Sequence, residues 1–216
     1  MSYHVEGLKD RSSPPLVLTV PGLDGSGPTH WQTLRDERDG RARRVDMGDW
    51  AKPNRNMWVN RLNLAIHRCQ NGQTGRPVIL VAHSLGCLAV AWWAHYEQPA
   101  FGDPVIGALL VAPPDVDGPL GEPRLQGFAP TPLGPLPFPS MVVASRDDRW
   151  GSLDHSKRLA TVWGSKFVDV GEAGHINADS GLGGWNDGRH YLSQLAQRAF
   201  ARSGRAAEPS LMSIFA

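Results

Sequence analysis

The sequence predicts an α/β fold, a mostly parallel sheet covered by helices on both faces and so stacked as a three-layer sandwich. Three observations predict it. Short runs rich in β-branched residues recur along the chain and are apolar at successive positions, as strands buried on both faces are. Segments with helical spacing alternate with them, which is the pattern of βαβ units. Every polar cluster worth reading chemically follows one of those strands, at the carboxyl edge where such sheets bind ligands.

The first run, PLVLTV (15–20), ends at Pro21-Gly22 and reads as a buried strand. A helix is expected over 29–38, capped by Thr29, with Trp31 and Leu34 on one face. A short strand over 44–47 and a second helix over 54–69 follow. In that helix Met57, Trp58, Leu62, Ala65, Ile66 and Cys69 repeat at core-facing intervals. PVILVA (77–82) is the strongest strand candidate, His83-Ser84-Leu85-Gly86 follows it at once, and helical spacing resumes over 87–96. Strands are expected at 105–112, 140–144 and 166–170, with helices over 156–163 and 187–202.

These elements place one domain over 15–202, with an N-terminal extension over 1–14 and a C-terminal tail over 203–216. The segment 113–139 breaks the alternation. It holds nine of the chain's 18 prolines, too long for an ordinary connection and too stiff for a flexible linker, so it is either an active-site cover or a surface excursion.

Composition narrows the class further. With 216 residues, 41% of them hydrophobic, one core can form without staples. The 22 basic and 21 acidic residues leave a net charge of +1, which argues against nucleic acid or an anionic membrane as partner. Arg41, Arg43 and Arg44 lie among Asp36, Glu37, Asp39 and Asp46 and read as a solvated mixed-charge face. Cys69 and Cys87 sit in helical segments and read as buried thiols of a reducing compartment. The N-terminal residues lack the apolar centre of a signal peptide, and no run is long enough to span a bilayer; a soluble cytoplasmic protein is expected. Nothing in the sequence specifies an oligomeric state.

Ala82-His83-Ser84-Leu85-Gly86 has a serine with small residues two before and two after it, between a strand and a helix. A strained nucleophile-bearing turn needs that spacing, because strand and helix pass too close for larger side chains. A serine hydroxyl also needs a base, and the base an orienting acid, in loops after later strands. His175 follows the strand KFVDV in a loop bracketed by Gly171 and Gly174, and Asp147-Asp148 follow the strand SMVVA. Neighbours on extended chain point opposite ways, so one aspartate of the two faces His175.

PGLDGSGPTHWQ, AHSLGC, SRDD and GHIN, in this order, resemble the small α/β-hydrolase family of serine hydrolases that includes retinoblastoma-binding protein 9 and bacterial predicted esterases. The resemblance runs from about Leu16 to Phe200. It implies a compact α/β-hydrolase fold without the usual first two antiparallel strands, and hydrolysis of small esters or amides with no metal or cofactor. By position it makes Ser84 the nucleophile, His175 the base and Asp148 the acid, although Arg149 stands where family members often have proline. Leu85-Gly86-Cys87-Leu88-Ala89 lacks the glutamate of the Leu-x-Cys-x-Glu peptide that some members carry, so a pocket-protein partner is not implied. Larger α/β hydrolases insert a cap where this chain has 113–139, which favours a cover. Trp31, Trp150 and that segment border the expected site and are candidates to line it. The competing class is a non-catalytic binding protein on the same fold, which would need no ordered acid and base.

The glycines of VPGLDGSGPTHW (20–31) suggest a phosphate loop, but Pro28 replaces the lysine such a loop requires and the dinucleotide fingerprint lacks its third glycine. Their remaining purpose is to bring backbone close to a developing oxyanion. The amides of Leu23 and Leu85 are the expected donors.

Overall fold

Strands β1 Leu16–Val20, β3 Val78–His83, β4 Val105–Val111 and β5 Ser140–Ala144 form where the chain is largely apolar at consecutive positions, and the more polar β2 Ala42–Arg44 and β6 Lys166–Asp169 form beside them. In the computed structural model, which describes residues 14–71, 76–119 and 122–202, all six pair in parallel in the order β2-β1-β3-β4-β5-β6. The three central strands β3, β4 and β5 are buried at every residue, while β2 and β6 are half-exposed edges. The extension, apart from Pro14, and the tail over 203–216 lie outside the described residues.

Successive side chains of each strand feed opposite faces. Leu18, Val20, Leu80, Ala82, Leu110 and Val142 join one core with helices α2 Arg55–Asn71, α3 Leu85–Glu97 and α4 Leu153–Trp163. Val17, Ile79, Val81, Leu109, Met141 and Val143 join another under α1 Trp31–Arg38 and α5 Asn186–Arg202. The result is the expected three-layer sandwich. From β1 the chain steps to β2 on one side and then returns to β3 on the other, so the strand order reverses between β1 and β3. A crevice opens at the carboxyl ends of two strands at such a reversal, and Ser84 stands there.

Local details depart from the sequence expectation. Thr29 is exposed and does not cap α1. His30 does, with extended backbone and its Nδ1 accepting from Gln32 N at 3.1 Å. The second strand begins at Ala42 rather than Arg44, because Val17, Leu18 and Thr19 pair with Ala42, Arg43 and Arg44; Val45 and Met47 are buried beyond its end. Met57 is 44% exposed in the first turn of α2. Cys69 is half-buried where a buried thiol was expected, while Cys87 is enclosed, and neither is in a disulfide. Helix α4 starts three residues earlier than its apolar stripe, because Ser152 caps it by accepting from His155 N at 3.1 Å.

The crossing of β1 and α3 leaves no room for a side chain at Gly86. A Cβ there would meet Val20 O at 2.4 Å and Pro21 O at 2.7 Å, both backbone atoms that cannot swing aside. Gly86→Ala therefore destabilises the protein by at least about 1–3 kcal/mol in denaturant titration. Gly27→Ala, with nothing within 4 Å of the added carbon, shifts stability by no more than about 1 kcal/mol.

Candidate active site

Ser84 occupies the sharp turn between β3 and α3 with φ 53° and ψ −128°, a conformation rare for a residue with a side chain. Its amide donates to Val111 O at 2.9 Å, extending the ladder to β4. Although it stands at the N-cap of α3, its hydroxyl makes no capping bond; Oγ lies 2.9 Å from Nε2 of His175. The His175 ring reaches it from the loop after β6, and its Nδ1 lies 2.8 and 3.0 Å from the two carboxylate oxygens of Asp148. A carboxylate only accepts, so Nδ1 carries the proton and Nε2 is left to accept from the serine hydroxyl. The Asp148 side chain is 3% exposed and also accepts from Trp150 N at 2.9 Å.

Asp147 takes the opposite direction, as alternation on extended chain requires. It is exposed and accepts from Ser145 Oγ at 2.6 Å and Gly174 N at 2.8 Å, bonds that hold its carboxyl below the usual range. The structure thus brings Ser84, His175 and Asp148 together and uses Asp147 to brace the backbone beside His175.

Two further donors fasten that loop from the sheet side. His83 Nε2 lies 2.9 Å from His175 O, and since a carbonyl only accepts, this nitrogen carries the proton. Trp31 Nε1 donates to Ile176 O at 2.8 Å, where Ile176 has φ 48°. Trp31 is buried behind the loop and does not line the cavity at Ser84, contrary to expectation: its ring is held edge-on between His83 and Trp185. Trp150 does line it.

That cavity, about 280 Å³, is walled by Leu23, Leu125, Trp150, Ala178 and His30 together with Ser84 and His175. Leu125 belongs to the 3-10 turn Pro123–Phe128 within the proline-rich segment. The sequence marked the segment 113–139 as a candidate to line the site, but no periodicity singles out Leu125 within it. Residues 22 and 23 adjoin the serine because Val20 pairs with Ala82, two residues before Gly22 and Ser84 respectively. A Cβ at Gly22 would meet Ser84 Cβ at 2.7 Å and Leu85 N at 3.2 Å. The Leu23 amide has no hydrogen-bond partner among the described residues, and Leu85 is the first residue of α3, where amides have no intrahelical acceptor.

His30 and His83 are held neutral. Burial, then the charge of Arg44 and the proximity of His175, bring His30 down to about 4; burial, then His175 and His30, push His83 well below its ordinary value.

A parallel sheet whose serine sits on a strained strand-to-helix turn, with an acid and a histidine in loops after later strands, defines the α/β-hydrolase class. Within it, the chain belongs to the serine hydrolase family, whose family model matches residues 17–194. Among solved structures it is similar to a YdeN-like hydrolase from Pectobacterium atrosepticum, at 31% identity over 87% of this chain and 94% of that one, with a TM-score of 0.75. It is also similar to the ydeN gene product of B. subtilis, at 24% identity over 87% and 100% of the two chains (TM-score 0.66). The esterase domain of a Rhodothermus marinus protein shares the fold at 15% identity, over 89% of each chain (TM-score 0.62). No curated protein matches the chain. No helix among the described residues is long and apolar enough to cross a membrane.

The neutral buried histidines make the fold acid-sensitive. His30 has a folded pKa of about 4 against an ordinary value of 6.5, so between these pH values the unfolded chain binds the proton and the folded one does not. Its contribution is fully present above pH 6.5 and is lost as pH falls to 4, amounting to about 3 kcal/mol. His30→Asn, which keeps a capping oxygen, flattens that part of the pH dependence in urea titrations run across this window.

Proposed function

We propose that the chain hydrolyses small carboxylic esters or amides through an acyl-enzyme. The observation that carries this reading is the continuous relay from Ser84 Oγ through His175 to Asp148, with both links at 2.8–2.9 Å. Ser84 Oγ attacks the substrate carbonyl while His175 Nε2 takes its proton and then delivers it to the leaving alcohol or amine. Asp148 keeps Nδ1 protonated and stabilises the imidazolium that forms. Water then attacks the acyl carbon while giving a proton to His175, and His175 returns that proton to Ser84 Oγ as the acyl–oxygen bond breaks and the acid leaves.

Charge on the tetrahedral oxygen is taken up by the amides of Leu23 and Leu85. The closeness of Gly22 to Ser84 and Leu85 supports this pairing. Each such donor contributes about 3 to 4 kcal/mol to the transition state. A cavity of about 280 Å³ with Leu23, Leu125 and Trp150 in its wall suits a short apolar acyl group. The proline-rich segment covers this group through Leu125. The free thiols of Cys69 and Cys87 suit a reducing cytoplasm.

With p-nitrophenyl esters of graded acyl length, Ser84→Ala and His175→Ala lower kcat/KM by roughly 10⁴-fold or more, and Asp148→Asn by a comparable factor. Asp147→Asn costs far less, because it touches the loop and not the ring. Turnover that survives Ser84→Ala removes the nucleophile assignment. In the same panel Leu125→Ala shifts preference toward longer acyl chains by roughly tenfold, since a methylene admitted to an apolar pocket contributes about 1 kcal/mol or more.

A further inference from the structure

A second cavity, of about 450 Å³, adjoins the one at Ser84, and His175, Trp150 and Asn177 line both. Ser84 lines only the first, so the way from its Oγ into the second runs past those three residues. In acyl transfer the two halves of a substrate part at this point. The acyl group stays on Oγ, while the leaving oxygen or nitrogen takes its proton from His175 Nε2, 2.9 Å from Oγ.

The two cavities differ in charge. The first has the apolar wall of Leu23, Leu125 and Trp150, and its one lining carboxylate, Asp24, is paired with Arg124 at 2.9 Å. The second is lined by the carboxylates of Asp147, Glu172 and Asp179 and by one guanidinium, that of Arg149. Asp147 accepts from Ser145 Oγ and Gly174 N, neutral donors that keep it ionised without cancelling its charge. The Asp179 side chain accepts from Asn177 Nδ2 at 3.5 Å, and among the described residues no cation pairs with it or with Glu172. Arg149 lies over the Trp150 ring, its Cζ 4.6 Å from the centroid. Three carboxylates against one guanidinium leave the lining with an excess of two negative charges. Carboxylates on a surface loop alone would mark only a solvated face. These wall a cavity that opens beside the imidazole where a leaving group is protonated.

We propose that this second cavity receives the leaving group and selects one that carries an ammonium or guanidinium a few bonds beyond the scissile bond. The inference rests on the acyl-transfer reading of Ser84. A cleft lined by one sign of charge raises the local concentration of the opposite sign, and a cation held there brings the carbonyl to Oγ with its acyl group toward the apolar wall.

Two esters of one short acyl group test this: the 2-(trimethylammonio)ethyl ester and the 3,3-dimethylbutyl ester, whose leaving groups share a shape and differ in charge. The charged ester is expected to show a kcat/KM higher by about fivefold or more, an advantage that shrinks as salt is added. Glu172→Gln combined with Asp179→Asn brings the ratio of the two values close to one. Because the ratio compares two substrates on the same enzyme, a partial loss of folded protein does not move it. The proposal is overturned if the wild-type ratio is one or less, or if neither added salt nor the double variant lowers it. The p-nitrophenyl ester of the same acyl group is the reference. Its turnover without turnover of either alkyl ester overturns the leaving-group site and leaves the nucleophile assignment standing, whereas no turnover of all three overturns the hydrolytic reading and this one with it.

Discussion

The catalytic end of the sheet depends on the closeness of β1 and α3 at Ser84. Two positions without side chains permit it: a Cβ at Gly86 would strike the carbonyl oxygens of Val20 and Pro21, and one at Gly22 would strike Ser84 itself. The serine pays for the approach with an unusual backbone conformation, of order 1–3 kcal/mol, which persists because the surroundings over-determine it. Strand β3 holds it on one side, its own amide is tied to Val111 O, and α3 starts at the next residue. Because the hydroxyl is not used to cap α3, it remains available to His175. Strain, the loss of a cap and a hydroxyl left free to meet His175 are three consequences of one close crossing.

His175 is held by a different device. Its loop carries few apolar residues, and fixed polar contacts take their place. Gly174 N donates to Asp147, Ala173 N donates to Ser145 Oγ, and the carbonyls of His175 and Ile176 accept from His83 and Trp31. Donors from β3 and α1 and acceptors from the loop after β5 thus grip four consecutive residues. Restraint of this kind places an imidazole within the narrow range of geometry that proton transfer requires, with little ordering left to do when substrate arrives. It also accounts for the neutral buried histidines: His83 must stay uncharged to remain enclosed, and its single N–H is spent on the loop.

What could be read in the sequence follows from where the physics is local. Strands buried on both faces are apolar throughout, so β3, β4 and β5 were legible within a residue or two at each end. The serine and histidine were legible because small residues and a glycine-bracketed loop are requirements of backbone geometry. The position of Asp148 rather than Asp147 against His175 was not legible from spacing, which says only that neighbours diverge; resemblance supplied the choice. Trp31 was misjudged for a related reason. An indole beside the site can face the cavity or donate backward to a carbonyl, and only the path of the 175–177 loop decides between them. Caps provided by His30 and Ser152 were missed, since each depends on a single side-chain orientation at the helix entrance.

The proline-rich segment bears on how a substrate is selected. A lid that opens and closes is expected to be weakly packed and bonded through its own backbone. This segment is bound into the protein instead. Phe128, Leu136 and Phe138 are buried in the larger core, Trp92 donates to Phe128 O at 2.8 Å and Trp163 donates to Pro132 O at 2.9 Å. Arg124 ties its 3-10 turn to Asp24 at 2.9 Å, in the same loop as Leu23. Raising Leu125 off the cavity would break these contacts together and expose core surface, at a cost of several kcal/mol on burial arithmetic alone. The wall that Leu125 contributes is therefore fixed, so a ligand of this cavity is discriminated by the volume already present rather than by closure around it.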